Sequence, residues 1–195
     1  MKRIAGKVFS AFGFTQLVMI AAIGFALYSA YEPWRWGKVR DELLRRFPAV
    51  DHIDGTMLER WIRDARGNAE KQGPLLLDVR TDSEFAVSHL PGARRVGVGA
   101  SPDEMGLFTD AEKRDADFRR PIVLYCAVGY ESSEVGERLK RLGFTRVQML
   151  EGGIFRWANE GRPLEGAPGS LAKTVHPGTS PNAQLLKRSL RLDTF

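Results

Sequence analysis

Cysteine occurs once in this chain of 195 residues, as Cys126. One thiol excludes a disulfide within the chain and any Cys-x-x-Cys metal or dithiol site. Histidine is scarce too: His52, His89 and His176 stand alone, with no ligand spacing, so no metal and no cofactor is expected. There is no internal repeat, no glycine-rich phosphate loop, no base-reading motif and no stripe of alternating basic and aromatic residues, so a nucleic-acid partner is not expected. The formal charge of +5 does not reverse that reading, because it is local. Residues 1–48 hold eight Lys/Arg against three Asp/Glu, while residues 49–195 hold 21 of each. The excess therefore reads as a membrane flank, not a nucleic-acid face. At 43% hydrophobic and 27% charged residues, the remainder is a folded domain with one core.

Charge is absent from Val8 to Tyr31, between Lys2, Arg3 and Lys7 on one side and Glu32, Arg35 and Lys38 on the other. As a helix this run reaches about 36 Å, against a hydrocarbon layer of roughly 30 Å. Tyr28, Tyr31, Trp34 and Trp36 would mark one interface. A cleaved signal peptide is the competing reading, but the run exceeds the usual apolar core of one and Tyr28 spoils the cleavage pattern before Ala30. The expectation is a single-pass membrane protein with residues 1–31 as its amino-terminal transmembrane anchor. Basic residues on both sides leave the orientation undecided. Residues 32–49 form a basic juxtamembrane linker, in which Val39, Leu43 and Phe47 recur every fourth residue. That stripe suits a short helix on the membrane surface, or equally a solvated linker helix.

The globular domain is expected over residues 50–165. Thr56-x-x-Glu59 reads as a capping box before a helix whose apolar face is Leu58, Trp61, Ile62 and Ala65. A polar turn at residues 68–73 leads to an apolar run at 74–79. Thr81-x-x-Glu84 and Thr109-x-x-Glu112 are two more capping boxes, residues 95–98 suit a short strand, and 99–109 a loop. Next comes IVLYCAVGYES at 122–132: a buried strand, a small-residue turn and a helix start. A helix over 133–142 closed by Gly143, a strand over 146–150 and a last helix containing Trp157 complete the domain. Strands alternating with helices imply crossovers, so the fold class is α/β, a small parallel sheet flanked by helices on both faces, beside the transmembrane helix. Residues 166–195, rich in Gly, Ser, Pro and Thr, read as a disordered tail.

A cysteine at the carboxyl end of a strand, before a helix amino terminus, meets backbone N–H groups and a helix dipole that both favour negative charge. Such a place promotes the thiolate. The bland alternative is a lone cysteine acting as a small buried hydrophobe.

These residues resemble the single-domain rhodanese (rhodanese-like sulfurtransferase) family. The likeness rests on LLLDVRTDSEF at 75–85, SHLPGA at 88–93, YCAVGYES at 125–132 and LEGGIFRWANEGRPL at 150–164. It implies a small parallel sheet flanked by helices and a cysteine, here Cys126, that accepts a sulfane sulfur as a persulfide. Ala127, Val128, Gly129, Tyr130, Glu131 and Ser132 would be the substrate-binding loop. The implied partners are a small sulfur donor, thiosulfate or a persulfide, and a thiol or protein acceptor. In the family Asp78, Arg80 and Glu84 tie the strand end to the next helix.

One position departs from the pattern. The family commonly reads Cys-x-x-Gly-x-Arg-Ser, and Glu131 stands where the arginine would be. Two unit charges about 4 Å apart interact by roughly 4 kcal/mol at an effective dielectric of 20, here with repulsive sign. Facing the pocket, Glu131 would raise the Cys126 pKa and repel thiosulfate; facing outward, it would pair with a nearby Arg and leave the loop intact. Arg156 is a candidate replacement cation. A phosphatase of this fold needs Cys-x5-Arg, and Ser132 occupies that place. A non-enzymatic module with an altered pocket that binds a protein partner is the alternative function.

Overall fold

The computed structural model describes residues 2–66, 73–108, 120–167, 170–179 and 181–192; within the first helix the side chains of residues 2–15, 27–30 and 32 are not described. The turn expected at 68–73, apart from Gly73, and the capping box at Thr109 fall outside these residues. Two units are distinguished, Met1–Lys38 and Val39–Phe195.

Helix α1 covers Lys2–Arg46. In the first unit Leu17, Val18, Met19, Ile20, Ile23 and Phe25 are exposed. Trp34 stacks on Tyr31, and Lys38 lies 4.0 Å over the Trp34 ring. No helix among the described residues is long and apolar enough to cross a membrane, so the transmembrane helix expected over residues 8–31 is not found.

The second unit is built on a five-stranded sheet, all parallel, in the order β1-β5-β4-β2-β3. Its strands are β1 (Asp51–Ile53), β2 (Leu75–Asp78), β3 (Arg94–Arg95), β4 (Ile122–Tyr125) and β5 (Val147–Leu150). β4 lies at the centre, and all four of its residues are buried because both faces are covered. Helices α2 (Gly55–Arg66), α3 (Asp82–Val87) and α4 (Tyr130–Arg141) lie in the connections β1–β2, β2–β3 and β4–β5, and α5 (Gly153–Asn159) follows β5. The α/β class, the parallel sheet and the flanking helices agree with the sequence. β1 was not foreseen.

The face that carries Leu77, Leu124, Cys126 and Val147 packs on Val135 and Leu139 of α4 and on Phe144. α4 lies close because Gly136 has no side chain; a Cβ there would meet Val50 Cγ1 at 3.1 Å. From β2 the chain steps one way to β3, then returns to place β4 and β5 on the other side. That reversal falls between β2 and β4, and the carboxyl ends of strands at such a switch point are where ligands of open α/β sheets bind.

Three local expectations change. The stripe Val39, Leu43 and Phe47 lies neither on a membrane nor in solvent: Leu43 and Phe47 are buried with Val50 and Met149, and Val39 packs beside them. The compact unit that contains the sheet includes this stripe, starting at Val39. Helix α2 is capped by Asp54, whose Oδ1 accepts from Met57 N at 2.8 Å, not by Thr56. Thr56 Oγ1 accepts instead from Arg162, which also pairs with Glu59. The tail read as disordered contains β7 (Leu171–Ala172), paired antiparallel with β6 (Leu164–Glu165), and two 3-10 turns at Pro181–Leu185 and Arg188–Leu190. Val175, Leu185 and Leu186 are buried, and Asn159 bonds Leu185 O (2.7 Å) and Lys187 N (2.9 Å).

Candidate active site

Cys126 follows β4 at the carboxyl edge of the sheet. Two elements fix the chain around it. From below, α5 offers its first free N–H groups: Ile154 N donates to Cys126 O (3.0 Å) and Phe155 N to Ala127 O (3.1 Å). Gly153 permits this approach, since a Cβ there would lie 2.3 Å from Cys126 O. From above, the loop closes into α4 at Gly129, whose φ of 131° is open to glycine and strained for any other residue. All six loop residues expected at the site, Ala127 to Ser132, are brought together with Cys126.

The sulfur is sealed: Cys126 has 0% exposure. Gly129 N donates to Sγ at 3.1 Å. Ser132 Oγ lies 3.7 Å from Sγ and 3.1 Å from Gly129 O, so its single proton serves one or the other. Amides do turn toward the sulfur, as the sequence led one to expect, yet the thiol is not made acidic. Burial pushes the Cys126 pKa up to about 12; the Glu131 carboxylate adds to the rise by its charge and by accepting from the thiol, and the Ser132 amide and hydroxyl only partly oppose it. Burial wins because the anion loses its water and gains a few donors in exchange. Glu131 itself is exposed, and its carboxylate is a smaller cause of the rise than burial.

Arg156 does not supply the missing cation. It is held by Glu151 and, at 3.0 Å, by Glu160. Asp78 and Arg80 form a bidentate buried pair, Nη2 to Oδ2 at 2.6 Å, and the same Nη2 donates to Ser88 O. This ties the end of β2 to the chain after α3, whereas Glu84 completes the Thr81 capping box. His89 Nδ1 lies 3.0 Å from Phe85 O, inside the turn. Trp157 is a core residue donating to Pro163 O at 2.7 Å. His52 stands on β1, and burial lowers its pKa. Among the described residues no group of His, Cys, Asp and Glu is arranged to hold a metal.

The sequence reading missed the neighbours that α1 brings to this loop. Tyr130 OH donates to Glu42 at 2.8 Å, and Leu43 packs on Gly129. The every-fourth-residue stripe was the available signal.

A family model described as the rhodanese-like domain matches residues 62–160, half of the chain. The chain belongs to the rhodanese-like domain family. Similar curated proteins are tRNA uridine(34) hydroxylases of Escherichia coli strains, 26% identical over 127 residues. The match covers 64% of this chain and 36% of theirs, so this chain spans about a third of the length of those relatives. Among solved structures, a Bacillus halodurans protein shares 23% identity at a TM-score of 0.47, with 65% of this chain and 86% of that chain covered. A thiosulfate sulfurtransferase of Pseudomonas aeruginosa shares 26% at a TM-score of 0.45, covering 60% of this chain and 20% of that one.

Proposed function

We propose that this rhodanese-like domain carries sulfane sulfur as a persulfide on Cys126 and takes it from a less anionic donor than thiosulfate. One observation supports this above the others: the thiol at the carboxyl end of β4 accepts from the Gly129 amide at 3.1 Å, while the Glu131 carboxylate raises its pKa by charge and by hydrogen bonding. The amide suits an anionic sulfur, and a carboxylate that hydrogen-bonds the thiol can accept its proton as sulfur attacks. With an organic persulfide the step balances without an oxidant: the Cys126 sulfur bonds the outer sulfur of R–S–SH, the S–S bond breaks, and the proton leaves with R–SH. Thiosulfate brings two negative charges toward Glu131, and among the described residues no cation acts on the thiol to offset them.

The second reading, a rhodanese-like module that binds a protein partner without turnover, is favoured by the complete burial of Cys126 and its raised pKa. One experiment separates the two. The purified chain is exposed to thiosulfate or to an organic persulfide, Cys126 is weighed by mass spectrometry, and cyanide is added. The sulfur-carrier reading expects one added sulfur from the persulfide, released as thiocyanate, and poor loading from thiosulfate that improves about tenfold in Glu131→Arg. A thiol that loads from neither donor supports the binding module. Loading from thiosulfate that Glu131→Arg leaves unchanged removes the electrostatic part of the proposal.

A further inference from the structure

The last two turns of α1 precede the residues matched to the family, yet they grip the loop that holds Cys126. Glu42 accepts the Tyr130 hydroxyl at 2.8 Å. Leu43, fully buried, fills the space beside Gly129; a Cβ there would come within 2.8 Å of its Cδ1. Arg46 lies 5.8 Å from the centre of the Tyr130 ring and 3.9 Å from Glu42. Two successive loop residues are thus held by one helix end, and Gly129 is the residue whose amide bonds Sγ. With the sulfur at 0% exposure, no reagent of any kind reaches it unless something moves. The α5 side of the loop is pinned by two backbone hydrogen bonds and by the close approach of Gly153. On the α1 side the polar tie is one side-chain hydrogen bond at a part-buried rim.

We propose that Val39–Arg46 is a strap over the Cys126 loop, latched by Tyr130–Glu42 and seated by Leu43, and that the thiol becomes reachable when the strap lifts. The strap is a conformational device beyond sulfur transfer, and its test uses no sulfur donor, so it stands or falls apart from the sulfurtransferase reading.

The full chain has one cysteine, so alkylation by iodoacetamide reports Cys126 alone as a single mass increment. Tyr130→Phe and Glu42→Ala each remove the latch and are expected to speed alkylation at fixed pH about tenfold, the scale of one hydrogen bond to a charged acceptor. Glu42→Gln keeps an acceptor for the Tyr130 hydroxyl and should stay near the parent rate. Lys140→Ala breaks the ion pair with Asp51 on the same unit, away from the loop, and should leave the rate alone. Parental rates in Tyr130→Phe and Glu42→Ala would overturn the strap. So would a gain in Lys140→Ala equal to theirs, because access would then follow general loosening.

Discussion

Replacing Glu131 by Gln takes one negative charge away from the Cys126 thiol and leaves the side chain's size unchanged. Two like charges about 4 Å apart repel by roughly 4 kcal/mol at an effective dielectric of 20 and by about 1 kcal/mol in bulk water. Glu131 is exposed, so solvent screens it toward the lower figure. The thiol should therefore drop by about one pKa unit, since one unit corresponds to about 1.4 kcal/mol. Burial, the larger cause, is untouched, and the variant's thiol stays above the ordinary cysteine value. Only the thiolate is alkylated, so a lower pKa moves the rising limb of the pH–rate profile to lower pH. At any pH below both midpoints Glu131→Gln should react about tenfold faster than the parent, and Glu131→Arg faster again. The rate is measured from neutral pH upward for as long as near-UV circular dichroism reports a native chain. Superimposable profiles for the parent and Glu131→Gln would refute the reasoning, and the case against thiosulfate would go with it.

Two further outcomes concern the frame that holds the site. Asp78→Asn leaves Arg80 charged and buried with half a partner, at side-chain exposures of 2% for Arg80 and 0% for Asp78, and should cost about 3–5 kcal/mol in a urea titration. A loss below about 1 kcal/mol would show that the pair contributes little. Gly153→Ala places a Cβ 2.3 Å from Cys126 O at a φ of +54°, whereas Gly161→Ala has a φ of +73° and nothing within 4 Å. The first should cost well over the roughly 1–2 kcal/mol of left-handed strain expected for the second, and equal losses would mean that α5 does not press on the Cys126 carbonyl.

What the sequence disclosed depended on whether the signal was local. β4 was readable because four apolar residues in a row suit only a strand covered on both faces. The Thr81 box was readable because its partner stands three residues away and nothing nearer competes. The same pattern misled at Thr56, since Asp54 sits two residues earlier and takes the cap, while Thr56 and Glu59 serve Arg162 from the far end of the domain. Val39, Leu43 and Phe47 announced a helix with one apolar side but not what covers it. Met149 and Val50 do, and only the fold brings them there. The tail failed for the same reason. Its composition is that of a loose chain, but Val175, Leu185 and Leu186 find burial at long range. Cys126 and the loop after it were legible as one run of the chain, whereas the burial of the thiol depends on how α5 and the end of α1 close on that loop.

The strap and the acidity of the thiol are two views of one equilibrium. In the closed state Cys126 titrates near 12, about three units above its ordinary 9.0, so closure disfavours the thiolate by about 4 kcal/mol. By linkage the thiolate disfavours closure by the same amount. The sign follows from where the protons sit. Between pH 9 and 12 the closed state keeps a proton that the open state has released, so closure is fully supported below pH 9 and weakens as pH rises toward 12. A donor that approaches near neutral pH therefore meets a protonated thiol behind a closed loop. Opening solvates the sulfur, lowers its pKa and clears its path in one movement. A buried, weakly acidic cysteine is then compatible with sulfur transfer, provided the movement that exposes it also ionises it.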